Sequence, residues 1–168
     1  MIKKILLAIV IAFSMGAPAQ AQKFGTVSAD DIMKLMPEMT TIQTQLEEAS
    51  KRYETEYQNL GTELNRKVTE FQALENDTTT PDALKERRIQ EIQELQQKIE
   101  QFRATAQQDL QRQQAQLLAP VEQKIMEAIK AVGAENGFTM IFPAGVSFYQ
   151  GTDVIDVTPL VKTKLGIQ

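Results

Sequence analysis

Asn76-Asp77-Thr78-Thr79-Thr80-Pro81 is a single six-residue interruption in a helical pattern that otherwise runs from about Glu38 to Asn136. Before it, apolar side chains recur at Met39, Ile42, Leu46, Ala49, Tyr53, Tyr57, Leu60, Leu64, Val68, Phe71 and Leu74. After it they recur at Leu84, Ile92, Leu95, Ile99, Phe102, Ala106, Leu110, Leu117, Val121, Ile125, Ala128 and Val132, with Arg88 and Gln113 filling two places in the row. Steps of three and four residues make one narrow stripe on each helix, as in a two-stranded coiled coil. Two such helices joined by a short polar loop fold back as an antiparallel hairpin. A turn centred between Thr78 and Thr79 makes facing residue numbers sum to about 157 and sets Pro37 opposite Pro120. Each arm helix is then about 60 Å long. Thr80 is the expected N-cap of the second helix with Pro81 at its first position, and Asn136-Gly137 is its stop signal. Gly61 and Pro120 are the two weak points and the hinge candidates.

Outward from the hairpin the periodicity changes. Phe24-Gly25-Thr26-Val27-Ser28 reads as a strand, and Ser28 with Asp31 resembles a capping box opening a short helix, Ala29–Leu35. Beyond the second long helix, Phe138–Phe142 reads as a strand, Pro143-Ala144-Gly145 as a turn, and Val146–Gln150 as a returning strand. Val154–Val157 is a last strand, and Thr158-Pro159 opens a final helix ending near Gly166. The expected fold is α+β: a long antiparallel helical hairpin on a small antiparallel β-body. Residues 22–36 and 120–168 form that body, and 37–119 form the arm. A few short strands bury little apolar surface and leave edges unpaired, so the body is expected to oligomerise. Phe24, Val27, Phe138, Met140, Phe142, Phe148 and Val154 are the candidates for body and oligomer contacts.

The first 21 residues read as a secretory leader. Lys3 and Lys4 are its basic end, Ile5–Phe13 its apolar stretch, and Ala19-Gln20-Ala21 its cleavage signal. The apolar run is about half of the ~20 residues that a spanning helix needs, and the expected compartment is the periplasm. Removing 21 residues from 168 leaves 147, enough for one domain. Without Lys3 and Lys4, 16 basic side chains face 22 acidic ones, a net charge of −6. An acidic chain without a basic stretch is a poor nucleic-acid binder.

The chain has no His and no Cys. That excludes Ser-His-Asp and Cys-His catalysis and the common zinc sites. No glycine-rich phosphate loop occurs, and the paired carboxylates lie on helices and turns, where caps and solvated faces are the ordinary reading. No enzyme activity, metal or cofactor is expected. Twelve Gln fall between Gln90 and Gln123, giving an uncharged helix face suited to solvent or to loose contact with unfolded chains.

The order of elements, with Phe24–Ser28 at the start, Asn136–Phe142 after the hairpin and Asp153-Val154-Ile155-Asp156-Val157-Thr158-Pro159-Leu160-Val161-Lys162 at the end, resembles the Skp/OmpH family of periplasmic chaperones. The resemblance implies a homotrimer with a central β-body and three helical arms around a cavity. That cavity would hold unfolded outer-membrane proteins without ATP. The chain departs from the resemblance in charge: the best-known members are strongly basic, so no lipid-binding pattern carries over to this acidic chain. Tyr57, Phe71, Leu74 and Leu84 are the candidates for client contact along the outer arm. Lys85, Arg87 and Arg88, near the tip, are placed either to meet acidic lipid heads or clients or to pair locally, as Arg87 with Glu91. The alternative from another class is a coiled-coil spacer or tether of envelope layers, which would call for a lipidated Cys, a retained anchor or a wall-binding domain.

Overall fold

A computed structural model describes residues 22–167, and the leader expected at 1–21 lies outside the described residues. The chain begins with strand β1 (Phe24–Val27) and helix α1 (Ala29–Leu35). Helices α2 (Glu38–Glu75) and α3 (Asp82–Glu135) follow. Strands β2 (Met140–Pro143) and β3 (Ile155–Asp156) and helix α4 (Thr158–Leu165) complete the order. The hairpin break falls where the sequence places it. Asp77 holds the turn, its carboxylate accepting hydrogen bonds from the Thr79 N–H (2.8 Å), the Thr79 hydroxyl (2.7 Å) and the Thr80 hydroxyl (3.1 Å). Thr80 is thereby spent on the loop, and Pro81 rather than Thr80 occupies the cap position of α3. The far end of α3 stops as expected, with Gly137 in the left-handed conformation at φ 67°.

Both long helices bury part of the stripe. On α2 the buried residues are Ile42, Ala49 and Leu60, and on α3 they are Leu95, Ile99, Ala106, Val121, Ile125, Ala128 and Val132. Facing numbers sum to 158 for Lys67 with Glu91 and to 162 for Glu38 with Lys124. Ile42, Pro120 and Val121 share one groove at the arm's base. Pro120 therefore sits about one turn from the level of Pro37, because the register drifts between tip and base. It does not break α3, which runs unbroken through it.

The sheet corrects the antiparallel expectation. Its order is β2-β1-β3, and β1 pairs in parallel with both neighbours, Phe24 beside Met140 and Thr26 beside both Phe142 and Asp156. A hairpin leading straight out of β1 and straight into β2 would leave those strands antiparallel. The intervening α1, packed on α2, α3 and α4, reverses the chain once more and makes them parallel. The expected returning strand at Val146–Gln150 is also absent. The turn is there, with Gly145 at φ 80° and the Ala144 N–H donating to the Val27 carbonyl at 2.8 Å. The segment beyond it crosses to the far edge of the sheet, where β3 begins, instead of pairing with β2.

The core lies on one face of the sheet, where Val27 meets Ile32, Met36, Ile42, Val121, Ile125, Ala128, Val132, Val157 and Val161. Ile32, Val157 and Val161 are the largest fully buried side chains. Gly25 sits on this face because a Cβ there would lie 3.1 Å from both the Phe138 ring and Val157 Cγ1. Ser28 holds the N-cap position of α1 as expected, but its hydroxyl donates to the Asp31 side chain at 2.7 Å and makes no bond to the helix backbone. Its N–H donates to Thr158 Oγ1 at 3.0 Å instead, fastening the start of α1 to the start of α4. Replacing Ile32 by Ala should cost about 2–5 kcal/mol, read as a lower urea midpoint. Gly61→Ala, with nothing within 4 Å of its Cβ, should raise stability by about 0.5–1 kcal/mol.

Candidate functional site

The arm and the outer face of the sheet carry the features able to engage another molecule. In a parallel register, residues side by side point the same way, so Phe24, Thr26, Met140 and Phe142 share the face turned away from the helices. The rings of Phe24 and Phe142 stack there, 6.5 Å between centroids. Thr26 alone is buried on that face, under Gln150, whose side-chain amide reaches its hydroxyl at 3.4 Å. Met140 and Phe142 remain about half exposed, and the crossing segment adds Val146 and Tyr149 and the fully exposed Phe148. The body candidates thus divide by face. Val27 and Phe138 serve the chain's own core, Val154 is half-buried beside β3, and Phe24, Met140, Phe142 and Phe148 face outward.

Along the arm, Tyr57 is 45% exposed and Leu84 36% exposed, whereas Phe71 and Leu74 are half-buried in the seam. Sequence periodicity does not single out Ile89, which is 41% exposed just off the stripe near the tip. Three cations converge on Glu91: Lys67 from α2 at 3.0 Å, Arg88 at 2.8 Å and Arg87 at 3.2 Å. Hydrogen bonds from Lys67, then Arg88, hold the Glu91 carboxyl down at about 2. Lys85 donates to the Glu75 carbonyl across the loop at 3.3 Å. The tip charges therefore lace the hairpin closed, and the Arg87–Glu91 pair read from spacing is present.

Midway down the arm, Tyr53 donates its hydroxyl to Asp109, which also accepts from the Gln113 amide at 2.5 Å and pairs with Arg112. The Tyr53 ring packs on Phe102, 6.0 Å between centroids. The stripe marks Tyr53 as apolar and offers no sign of this polar cross-link, since Asp109 lies one place off it. Further out, Leu60, Leu95 and Ile99 form a second apolar cluster, with Leu64 and Phe102 against it. Near the base, Glu38 pairs with Lys124 at 2.7 Å, and that bond lowers the Glu38 carboxyl below its usual range. Among the described residues, no helix is long and apolar enough to cross a membrane.

A hairpin arm on a body closed by the chain's final strand and helix is a particular arrangement, and the family model for outer membrane protein (OmpH-like) matches residues 23–165. The chain belongs to the Skp/OmpH family. Among its relatives in this family, the Chaperone protein Skp of Photorhabdus laumondii is 30% identical over 154 residues, 88% of this chain and 90% of the relative. That of Photorhabdus luminescens is also 30% identical over 154 residues. That of Yersinia enterocolitica is 28% identical over 142 residues, covering 83% of this chain and 84% of the relative.

Because the Glu91 carboxyl titrates lower in the folded arm than its ordinary 4.5, its contribution is complete above that pH and is lost as pH falls toward about 2. Amide hydrogen exchange near the tip should therefore speed up across this window. Glu91→Gln should show fast tip exchange at neutral pH, with exchange in the body unchanged.

Proposed function

We propose that this chain is an ATP-independent holdase chaperone of the periplasm, working as a homotrimer. Three arms would enclose an unfolded outer-membrane protein and keep it from meeting other unfolded chains. Family membership supports a chaperone role, and the curated relatives bear that name. The observation that carries the assembly is the outer sheet face: Phe24, Met140 and Phe142 with Val146, Phe148 and Tyr149 form an apolar surface at the arm's base that no described residue covers. A surface of that kind marks an interaction site. Covering it with the same face of other copies gathers the arms at one end and leaves their tips in solvent.

The physics of holding follows from the clients. Chains destined to become membrane barrels expose alternating apolar residues and unpaired strand edges. Tyr57 and Leu84 on the arm surface, with Phe71 and Leu74 beside them in the seam, offer many weak contacts. Several arms together turn these into avidity while each contact stays easy to break. Gly61, with no side chain of its own, and Pro120, whose missing N–H leaves the carbonyl a turn before it without its helical donor, are where the arm would flex to fit clients of different size.

The mature protein, present in molar excess while a urea-unfolded barrel protein is diluted, should suppress light scattering, and mass photometry should report three chains. The pair Met140→Asp and Phe142→Asp should leave the helical content near that of the parent but give monomers with several-fold weaker suppression. Scattering unaffected by the parent protein would refute the holdase reading, and a monodisperse active monomer would refute the trimeric one.

A further inference from the structure

Gly61 poses a question that hinge behaviour alone does not answer. It lies inside an unbroken helix, where glycine costs about 1 kcal/mol relative to alanine, and its backbone takes no left-handed conformation. Nothing lies within 4 Å of where its Cβ would be, so close packing does not demand glycine either. Gly61 lines an open notch of about 460 Å³ on the flank of the arm and leaves its floor without a side chain. Tyr57 and Leu64, one turn to either side, form its walls, and Ile99 of the facing helix lies behind them. Asn65, Gln96 and Glu100 supply its polar groups.

The charge in this notch is one-sided. Glu100 lines it and no cationic side chain does. Among the described residues, Glu100 makes no salt bridge, although Arg103 is one helical turn further on. Residues 37–119 carry 15 acidic against 10 basic side chains, so the arm as a whole adds to the negative potential there. A half-exposed aromatic ring, an apolar wall and an uncompensated carboxylate together match one kind of side chain: a long aliphatic stem ending in a cation. The stem would cover Leu64, the cation would lie over the Tyr57 ring, and the Glu100 carboxylate would accept its hydrogen bonds. An acidic client side chain meets repulsion at the same spot.

We propose that the Gly61 notch is a seat for an arginine or lysine side chain of an extended client segment, so that this chaperone selects basic over acidic stretches of unfolded chain. The proposal rests on the holdase reading and names the client chemistry for one place on the arm. Gly61→Leu fills the notch while improving helix propensity, which separates loss of the seat from loss of the fold. Glu100→Gln removes only the charge.

The test uses the full mature protein and a labelled unstructured peptide of alternating apolar and Arg residues, with a twin carrying Glu in place of Arg. The parent should bind the Arg peptide more tightly, and Gly61→Leu and Glu100→Gln should each cut the Arg-to-Glu affinity ratio about five-fold. Glu48→Gln, the same change of charge elsewhere on the arm, should leave most of the ratio intact. Ratios unchanged in both notch variants, or cut equally by Glu48→Gln, would overturn the seat. Aggregation of a client without net charge, followed by light scattering, keeps the two readings apart. Its suppression by parent and Glu100→Gln alike, with the peptide ratio lost in both notch variants, supports the seat. Suppression with no peptide discrimination overturns the seat alone, and failure of the parent to suppress overturns the holdase.

Discussion

The pairing of β1 on both of its edges is the constraint on which the rest of the molecule depends. Four residues near the start of the described chain form the middle of the sheet, and both neighbours come from beyond the hairpin. For those contacts to form, the chain between them must bring its ends together, and the two long helices do this by lying side by side. The core face of the sheet then rests on the base of the hairpin, with α1 and α4 closing it through Ile32, Val157 and Val161. Small ties reinforce the same closure: the Ser28 N–H to Thr158 Oγ1 and Lys23 to the Asn136 carbonyl at 3.1 Å. Lys164 adds an ion pair to Glu135 at 2.5 Å. Individually such exposed pairs contribute little, but all of them join sequence-distant segments at the body.

The arm has a different logic. Away from the body it has only the helix–helix seam, and its apolar cluster of Leu60, Leu95 and Ile99 is small. Polar cross-links stand in for the missing core volume, with Tyr53–Asp109 midway and the three cations on Glu91 near the tip. An arm stabilised in this way keeps its outer surface free. Tyr57 and Leu84 stay accessible at the margin of the seam.

Helical periodicity was enough to locate both long helices to within a residue or two of their ends, since stripe, prolines and stop glycine all agree. It also identified every residue that α3 buries. The sheet was less legible. Strand direction depends on how many times the chain reverses, and the reversal at α1 comes from tertiary packing of a seven-residue helix. Val146–Gln150 has strand-forming residues but no partner strand among the described residues, so propensity alone misplaced it. Of the functional candidates, periodicity could mark Tyr57 and Leu84 as members of the stripe. It could not show that the stripe is narrower than its apolar residues and leaves them at the margin. The Asp109 cross-link and the Gly61 notch depend on relations between helices that no single-helix pattern encodes.

The position of β1 also sets an order of events during synthesis. Of the described strands, β1 is made first and is the one that needs both neighbours, and those neighbours follow more than a hundred residues later. Until then β1 has two bare edges, like the chains this family is proposed to shelter. The hairpin can zip locally from its Asp77 turn while the sheet waits, because the arm's own contacts need nothing beyond α3.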